Sequence, residues 1–249
     1  MTRYDTIGRT YTSTRRADPR IAAQIAAALA DAASVVNVGA GAGSYEPADR
    51  RVVAVDPSAT MLRQREVRAA PAVLARAEAL PFADRAFDAA LASLTVHHWD
   101  DVDGGLRELV RVARMQVVFY FEPSWSPSAW IVKDYLPEIL ELGTEREAPG
   151  LDRLAATLNV LHVETVRVPS DCVDGFTGAY WNRPEAYLDP VVQAGSSSFA
   201  QLDPGVLSAG IERLRRDLAS GVWDERHGHL RDRTEIDIGY RLLVAGHLS

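Results

Sequence analysis

The segment Ser34-Val35-Val36-Asn37-Val38 is a short apolar strand that runs straight into Gly39-Ala40-Gly41-Ala42-Gly43, and a second apolar run, Arg51-Val52-Val53-Ala54-Val55, closes on Asp56. Alternate glycines at a strand end permit left-handed backbone and the close approach of another molecule. A carboxylate at the end of the following strand, 17 residues beyond Gly39, stands where it accepts hydrogen bonds from sugar hydroxyls. Together these features read as a nucleotide-cofactor loop. Taken singly, the glycines also fit a tight strand-to-helix connection, and Asp56 before Pro57 also fits a helix cap. A dinucleotide loop calls for Gly or Ala at position 44, where this chain has Ser44.

Apolar periodicity extends the pattern along the chain. Asp18-Pro19 predicts a helix start, since the Asp side chain accepts from free N–H groups and Pro suits the first turn, giving a helix over 19–32. Ser58 caps a further helix through Met61, Leu62 and Arg65, and strands are expected at 72–75, 87–94 and 117–121, with a helix through Leu106, Leu109 and Val112 before the last. Strands alternating with helices, with apolar strand runs, predict an α/β fold with a parallel sheet covered on both faces. After residue 121 the rhythm changes. A helical stretch through Trp130, Ile131, Tyr135, Leu136 and Ile139 precedes a helix at 151–158 and a strand at 161–168. About 65 residues rich in aromatics then lead to a last strand at 236–245. The expected organisation is an N-terminal lid and cofactor core (1–123), a cap insertion (124–150), a core helix and strand (151–168), a second cap insertion (169–235) and a final core strand (236–249).

Composition limits the partners. Hydrophobic residues make up 47% and charged residues 24%, enough for a sizeable core and unlike a disordered chain. The net charge of −7, with no basic block, argues against nucleic acid. The run Ile21–Ala33 contains Gln24 and Asp31 and is too short to cross a bilayer, so no membrane association is expected. The one cysteine, Cys172, forms no internal disulfide, and the chain opens without a secretory pattern, so a cytoplasmic location is expected. One lysine, Lys133, among 27 basic residues points to GC-rich, bacterial coding DNA.

Four motifs in order carry a family resemblance: Val35 to Gly43; Val53-Ala54-Val55-Asp56; Ala77-Glu78-Ala79-Leu80-Pro81-Phe82; and Phe87-Asp88 through His97-His98-Trp99. They resemble the class I S-adenosylmethionine-dependent methyltransferases of the small-molecule type, over about residues 35–121. The resemblance implies a Rossmann-like, seven-stranded, mostly parallel sheet of order 3-2-1-4-5-7-6 with the last strand antiparallel. A mainly helical cap then arises from insertions after strands 5 and 6. It also implies S-adenosyl-L-methionine as cofactor, S-adenosyl-L-homocysteine as product, and a site across the carboxyl ends of strands 1, 2 and 4. Gly39, Ala40, Gly41 and Gly43 would pass under the methionyl and ribose parts, Asp56 would hold the ribose, and Pro57, Met61, Ala77, Glu78 and Leu94 would surround the rest. Tyr4 and Tyr11 would close over the cofactor, with Arg15 or Arg16 available to its carboxylate, although Arg15-Arg16 reads more simply as a solvated basic face. Two positions depart from the pattern. Asn37 replaces an acid and so removes a negative charge, and Arg76 stands where relatives often place an Asp beside the adenine.

Methyl transfer is an in-line displacement on an activated sulfonium, so the protein mainly aligns the nucleophile and excludes water, which supplies about 7–11 kcal/mol. A base is needed only for an alcohol, phenol or protonated amine, and His97 and His98, at the end of the fourth strand, are the candidates. Each also fits a structural role, and strand alternation would let only one face the cavity. His227 and His229 are candidates for substrate contact or a structural role. No metal site is expected, because no Cys or carboxylate completes a ligand set. Trp125, Tyr180 and Trp181 are candidate acceptor walls as well as candidate core. The expected function is methyl transfer to a small organic acceptor, oxygen first and nitrogen or carbon next, in bacterial specialised metabolism. The rivals are a cofactor-binding protein with a cyclase-like or regulatory role and an NAD(P)-dependent oxidoreductase. The residues leave the oligomeric state open.

Overall fold

The computed structural model describes residues 15–66 and 68–246. Helix α1 (Pro19–Ala28) starts on Asp18, whose side chain accepts from Arg20 N–H. It ends earlier than the expected residue 32, because the chain turns through a left-handed Ala30. Strands β1 (Ser34–Val38), β2 (Arg51–Asp56), β3 (Ala72–Leu74), β4 (Phe87–Ser93), β5 (Ala113–Phe121), β6 (Val160–Thr165) and β9 (Tyr240–Gly246) form one sheet of order β3-β2-β1-β4-β5-β9-β6. The first five run parallel, and β9 pairs antiparallel with both β5 and β6. This is the expected seven-stranded order, with β9 in the seventh place.

Two short strands intervene before β9. The expected strand over 161–168 splits into β6 and β7 (Val168–Pro169), and β8 (Glu235–Ile236) pairs with β7 in a separate ladder. One further backbone bond, from Ser170 N–H to the Thr234 carbonyl at 2.8 Å, extends that two-residue ladder past Pro169. Between β1 and β2 no helix forms. The chain crosses in turns over residues 39–50, where Pro47 and a left-handed Tyr45 interrupt any helical run.

Side chains alternate across the sheet with period two. Val36, Val38, Ala90, Ala92 and Val118 face α3 (Val102–Val112), whose Leu106, Leu109 and Val112 are fully buried. Val35, Leu91, Val117 and Phe119 face α1 and the cap segments in one continuous cluster that includes Trp130, Tyr135, Tyr187 and Trp223. The first cap segment is less regular than expected. It consists of 3-10 turns at Pro123–Ser128 and Pro137–Glu141, a π-helical turn at Ile131–Tyr135, and the short helix α4 (Gly143–Arg146). Helix α5 (Leu151–Ala155) leads into β6, and the second segment holds α6 (Pro190–Gly195), α7 (Pro204–Ser220) and α8 (Val222–His227). Trp130 anchors the two segments to each other. Its ring meets Tyr187 and Trp223 edge-on at 5.6 and 5.3 Å, and its Nε1 donates to the Trp181 carbonyl at 2.8 Å.

Candidate active site

The glycine loop is shaped by contacts that no other residue would allow. Gly39 lies at φ +73°, and a Cβ there would stand 1.9 Å from Thr95 Oγ1; Gly41 and Gly43 also have left-handed backbone. The Gly39 and Ala40 amides donate to the Val55 carbonyl, which folds the loop over the end of β2. Asp56, buried at that end, accepts from Gly41 N–H at 2.8 Å through one carboxylate oxygen and from Ser58 N–H at 2.8 Å through the other. It therefore holds the loop in shape as well as facing the cavity beside it. Ser58 in turn caps α2 (Ala59–Leu62), which brings Met61 to the same cavity.

That cavity, about 740 Å³, is lined by Asn37, Gly39, Ala40, Gly41, Asp56, Pro57, Met61, Ala77, Glu78, Leu94, His97 and His98 among others. All the described residues expected around a cofactor meet there except Gly43, which underlies the loop beside Arg65. Tyr4 and Tyr11 lie outside the described residues.

The departures from the family pattern have structural counterparts. Asn37 is buried, its Nδ2 donates to Glu46 Oε1 at 3.1 Å, and its Oδ1 accepts no hydrogen bond. The acid missing at position 37 stands one layer back as Glu46, paired at 2.7 Å with Arg65, which also donates to the Gly41 and Ala70 carbonyls. Arg76 is half-exposed at the rim, where it pairs with Asp100 and, at 3.4 Å, with Glu78. Those carboxylates raise its pKa. Glu78 also accepts from Asp101 N–H at 3.1 Å, so it supports the start of α3 while lining the cavity. Neither Glu46 nor Asp100 belongs to the motifs that carry the resemblance, and only the fold brings them near.

β4 ends at Ser93, and the next residues turn back over both cavities. Leu94 sits at φ +50°, a costly conformation for a branched side chain of the kind that persists at functional sites. A 3-10 turn follows at Val96–His98. The strand does not reach the histidines, so the alternation expected for them does not apply, and both line the cavity with ring centroids 3.8 Å apart. Loss of hydration and, secondarily, the Arg15 guanidinium pull the His97 imidazole down to about 4, so it is neutral at pH 7.

The same turn borders a second, largely apolar chamber of about 140 Å³ between the sheet and the cap. Arg15, Leu94, His97, His98 and Thr144 line both spaces. Arg15 is set by a buried network absent from the sequence reading. Asp174, fully buried, accepts from Arg15 Nε at 2.6 Å and from Tyr45 Oη at 2.8 Å. One carboxylate thereby ties the chain ahead of α1, the glycine loop's far side and the second cap segment to one another.

The expected acceptor residues divide. Trp181 lines the chamber and donates from its Nε1 to the Val168 carbonyl at 3.1 Å. The other four are placed elsewhere. Trp125 covers Gly239, with the Arg241 guanidinium over its ring. Tyr180 packs edge-on against Tyr187 and under Arg183. His227 binds Asp134 at 2.7 Å between Trp130 and Trp223. His229 lies in the Gly228–Leu230 turn beyond them and lines neither space. Tyr180 and His227 are thus taken up by packing in the cap, Trp125 covers the turn before β9, and His229 is exposed; sequence alone could not assign these groups to a face. Cys172 is buried, and loss of hydration pushes its thiol up to about 12, which removes nucleophilic character at neutral pH. Among the described residues, no three His, Cys, Asp or Glu side chains converge as a metal site.

The larger cavity fits S-adenosylmethionine on two counts. The glycine cradle is one that a Cβ would fill, and Asn37 Oδ1 is a buried acceptor left for a donor such as an ammonium group. Comparison with known proteins agrees. Residues 36–121 match the family described as methyltransferase domain. A crystal structure from Anabaena variabilis, of a protein assigned as a methyltransferase of an antibiotic biosynthesis pathway, superimposes with a TM-score of 0.85 at 30% identity, covering 94% of this chain and 99% of that one. The malonyl-[acyl-carrier protein] O-methyltransferase of Pseudescherichia vulneris is 41% identical over 88 residues, 33% of this chain and 35% of that protein. The demethylmenaquinone methyltransferase of Mycolicibacterium paratuberculosis is 37% identical over 92 residues, 35% of this chain and 40% of that protein. The matches to these two curated relatives span little more than a third of their length and lie within a similar share of this chain. The full-length likeness, the sheet order and the matched motifs together place this chain among the class I S-adenosylmethionine-dependent methyltransferases.

Proposed function

We propose that this enzyme transfers a methyl group from S-adenosylmethionine to a small organic acceptor, first of all an oxygen acceptor, held in the apolar chamber. The observation that carries this reading is the junction of the two spaces at Leu94, His97 and His98. A cavity built on the glycine loop and an aromatic-lined one share those residues as lining. When bound, the cofactor would supply a sulfonium-activated methyl group: an O–CH3 bond would form as the S–CH3 bond breaks, leaving a thioether, with the hydroxyl proton released to solvent. In this reading Asn37, the glycine loop, Asp56 and Ala77 hold the cofactor, and the chamber orients the acceptor and excludes water. His97, neutral at working pH, accepts a hydrogen bond from an acceptor hydroxyl; with a pKa of about 4 it positions that group more than it stores its proton. His98 stands beside it at the same junction. The small, roofed chamber favours a metabolite over a protein or nucleic acid, and no helix among the described residues is long and apolar enough to cross a membrane. The Anabaena relative's assignment supports a place in bacterial specialised metabolism.

The oxidoreductase alternative loses support because no helix begins at the glycine loop, and a dinucleotide pyrophosphate relies on such a helix N-terminus. Incubation with methyl-labelled S-adenosylmethionine and single-ring phenols, alcohols and amines tests the proposal. Labelled product together with S-adenosylhomocysteine is the expected result. Cofactor binding without turnover across the panel would favour the nonmethylating role.

A further inference from the structure

We infer that the acceptor carries a cationic amine and that Glu145 holds it. This inference rests on the methyl-transfer reading and narrows its substrate. Glu145, on α4, lines the apolar chamber. Its Oε2 accepts from Ser126 Oγ at 2.8 Å and its Oε1 from Ser198 Oγ at 3.3 Å. Both donors are neutral, and among the described residues no Arg, Lys or His pairs with this carboxylate. The other permanent charge among the described lining residues, Arg15, is bound to Asp174. Phe176, Trp181 and Tyr240 also line this chamber.

A carboxylate in an aromatic pocket with no cation of its own favours a ligand that brings one, since ring faces attract an ammonium group and the carboxylate takes its N–H bonds. An anionic ligand would be repelled, and a neutral apolar one would leave the charge against poorly solvating surface. The chamber volume of about 140 Å³ matches a single aromatic ring, because an apolar cavity of about 150 Å³ is known to hold benzene. An amine held as ammonium has no lone pair with which to take a methyl group. It is therefore a handle, and the methyl acceptor is a different atom of the same molecule, such as a hydroxyl oxygen.

Three phenols that differ in tail charge test this: tyramine (cationic), 4-ethylphenol (neutral) and 4-hydroxyphenylacetate (anionic). Each is titrated calorimetrically into the full chain saturated with S-adenosylhomocysteine. Tyramine is expected to bind at least about tenfold more tightly than 4-ethylphenol, with the anion weakest. Glu145→Gln should bring tyramine and 4-ethylphenol within about twofold of each other. Unchanged S-adenosylhomocysteine affinity shows that this variant is folded; should it not fold, the wild-type order alone decides. Equal or tighter binding of 4-ethylphenol or the anion overturns the inference, as does no tyramine binding at millimolar concentration or a preference that survives Glu145→Gln. Failure of S-adenosylhomocysteine to bind would instead strike the methyl-transfer reading. The same titrations on the ligand-free protein would then decide the amine inference on the same order.

Discussion

The cofactor half and the cap half of this molecule are built on different principles. Around β1, β2 and β4 the site is made of backbone. Glycines in left-handed conformations, strand ends and a single carboxylate shape it, and few side chains could be exchanged without altering the main chain. In the cap the site is made of side chains on short, irregular turns, and its shape follows from how aromatic rings pack around Trp130. A backbone site tolerates little variation and announces itself in sequence. A side-chain site can be rebuilt while the fold persists, which suits a region that selects among acceptors.

This contrast makes substitutions in the two halves separable. The largest effect is expected at Gly39→Ala, where a left-handed backbone and a Cβ 1.9 Å from Thr95 Oγ1 coincide. A loss of about 2–6 kcal/mol in unfolding free energy follows from strain and overpacking, with cofactor binding lost as well. Thr95→Ala on that background should recover part of the stability, since it removes the Oγ1 and Cγ2 contacts and leaves only the one to the Thr95 Cβ at 2.7 Å, and urea unfolding would measure both. Trp223→Ala is the matching change in the cap. Its ring is fully buried, so a loss of about 3–5 kcal/mol is expected. S-adenosylhomocysteine affinity should nevertheless stay within about twofold at a temperature where the variant is folded. A large fall in affinity there would show that the halves are not separable.

Asp56→Ala acts on binding and, because it removes the acceptor of the Gly41 and Ser58 N–H groups, on the glycine loop as well. Loss of a charge-assisted hydrogen bond predicts a 10- to 100-fold weaker cofactor affinity by calorimetry, where roughly 1.4 kcal/mol corresponds to tenfold. Affinity unchanged by this substitution would remove Asp56 from the site. A further effect concerns His97, at the boundary. Its pKa is about 4 in the folded protein against 6.5 for the unperturbed group, so between these values the unfolded chain binds more protons than the folded one. Stability should therefore fall as pH drops from 6.5 toward 4, and His97→Asn should flatten that part of the profile. An identical profile for the variant would contradict the assigned shift.

The same division decides what could be read from residues alone. The strand–glycine–strand–acid order from Val35 to Asp56 identifies both the fold and the cofactor region, because backbone requirements restrict residue type. The seven-strand order follows from the family resemblance that these motifs carry, although the break between β6 and β7 at residues 166–167 is not marked in it, and the missing helix after β1 goes with Pro47 and the left-handed Tyr45. The acceptor chamber was much less accessible. Its lining comes from turns of three to six residues without helical period, so no spacing rule separates Trp181, which faces inward, from Tyr180, which does not. Glu145, Asp174 and Arg15 are ordinary surface-type residues in sequence, and their placement arises from contacts between residues 19 to 159 positions apart. His97 and His98 were expected to end the fourth strand, but the strand stops at Ser93, four positions before the first of them, which changes where both rings point.

The central claim is that the cofactor cavity and the acceptor chamber meet at Leu94, His97 and His98. A crystal structure with S-adenosylhomocysteine tests it most directly. The thioether sulfur is expected beside those residues and facing the chamber, with the ribose at Asp56 and the adenine along Ala77. A sulfur directed away from the histidines, or the ligand lodged in the apolar chamber itself, would contradict the account.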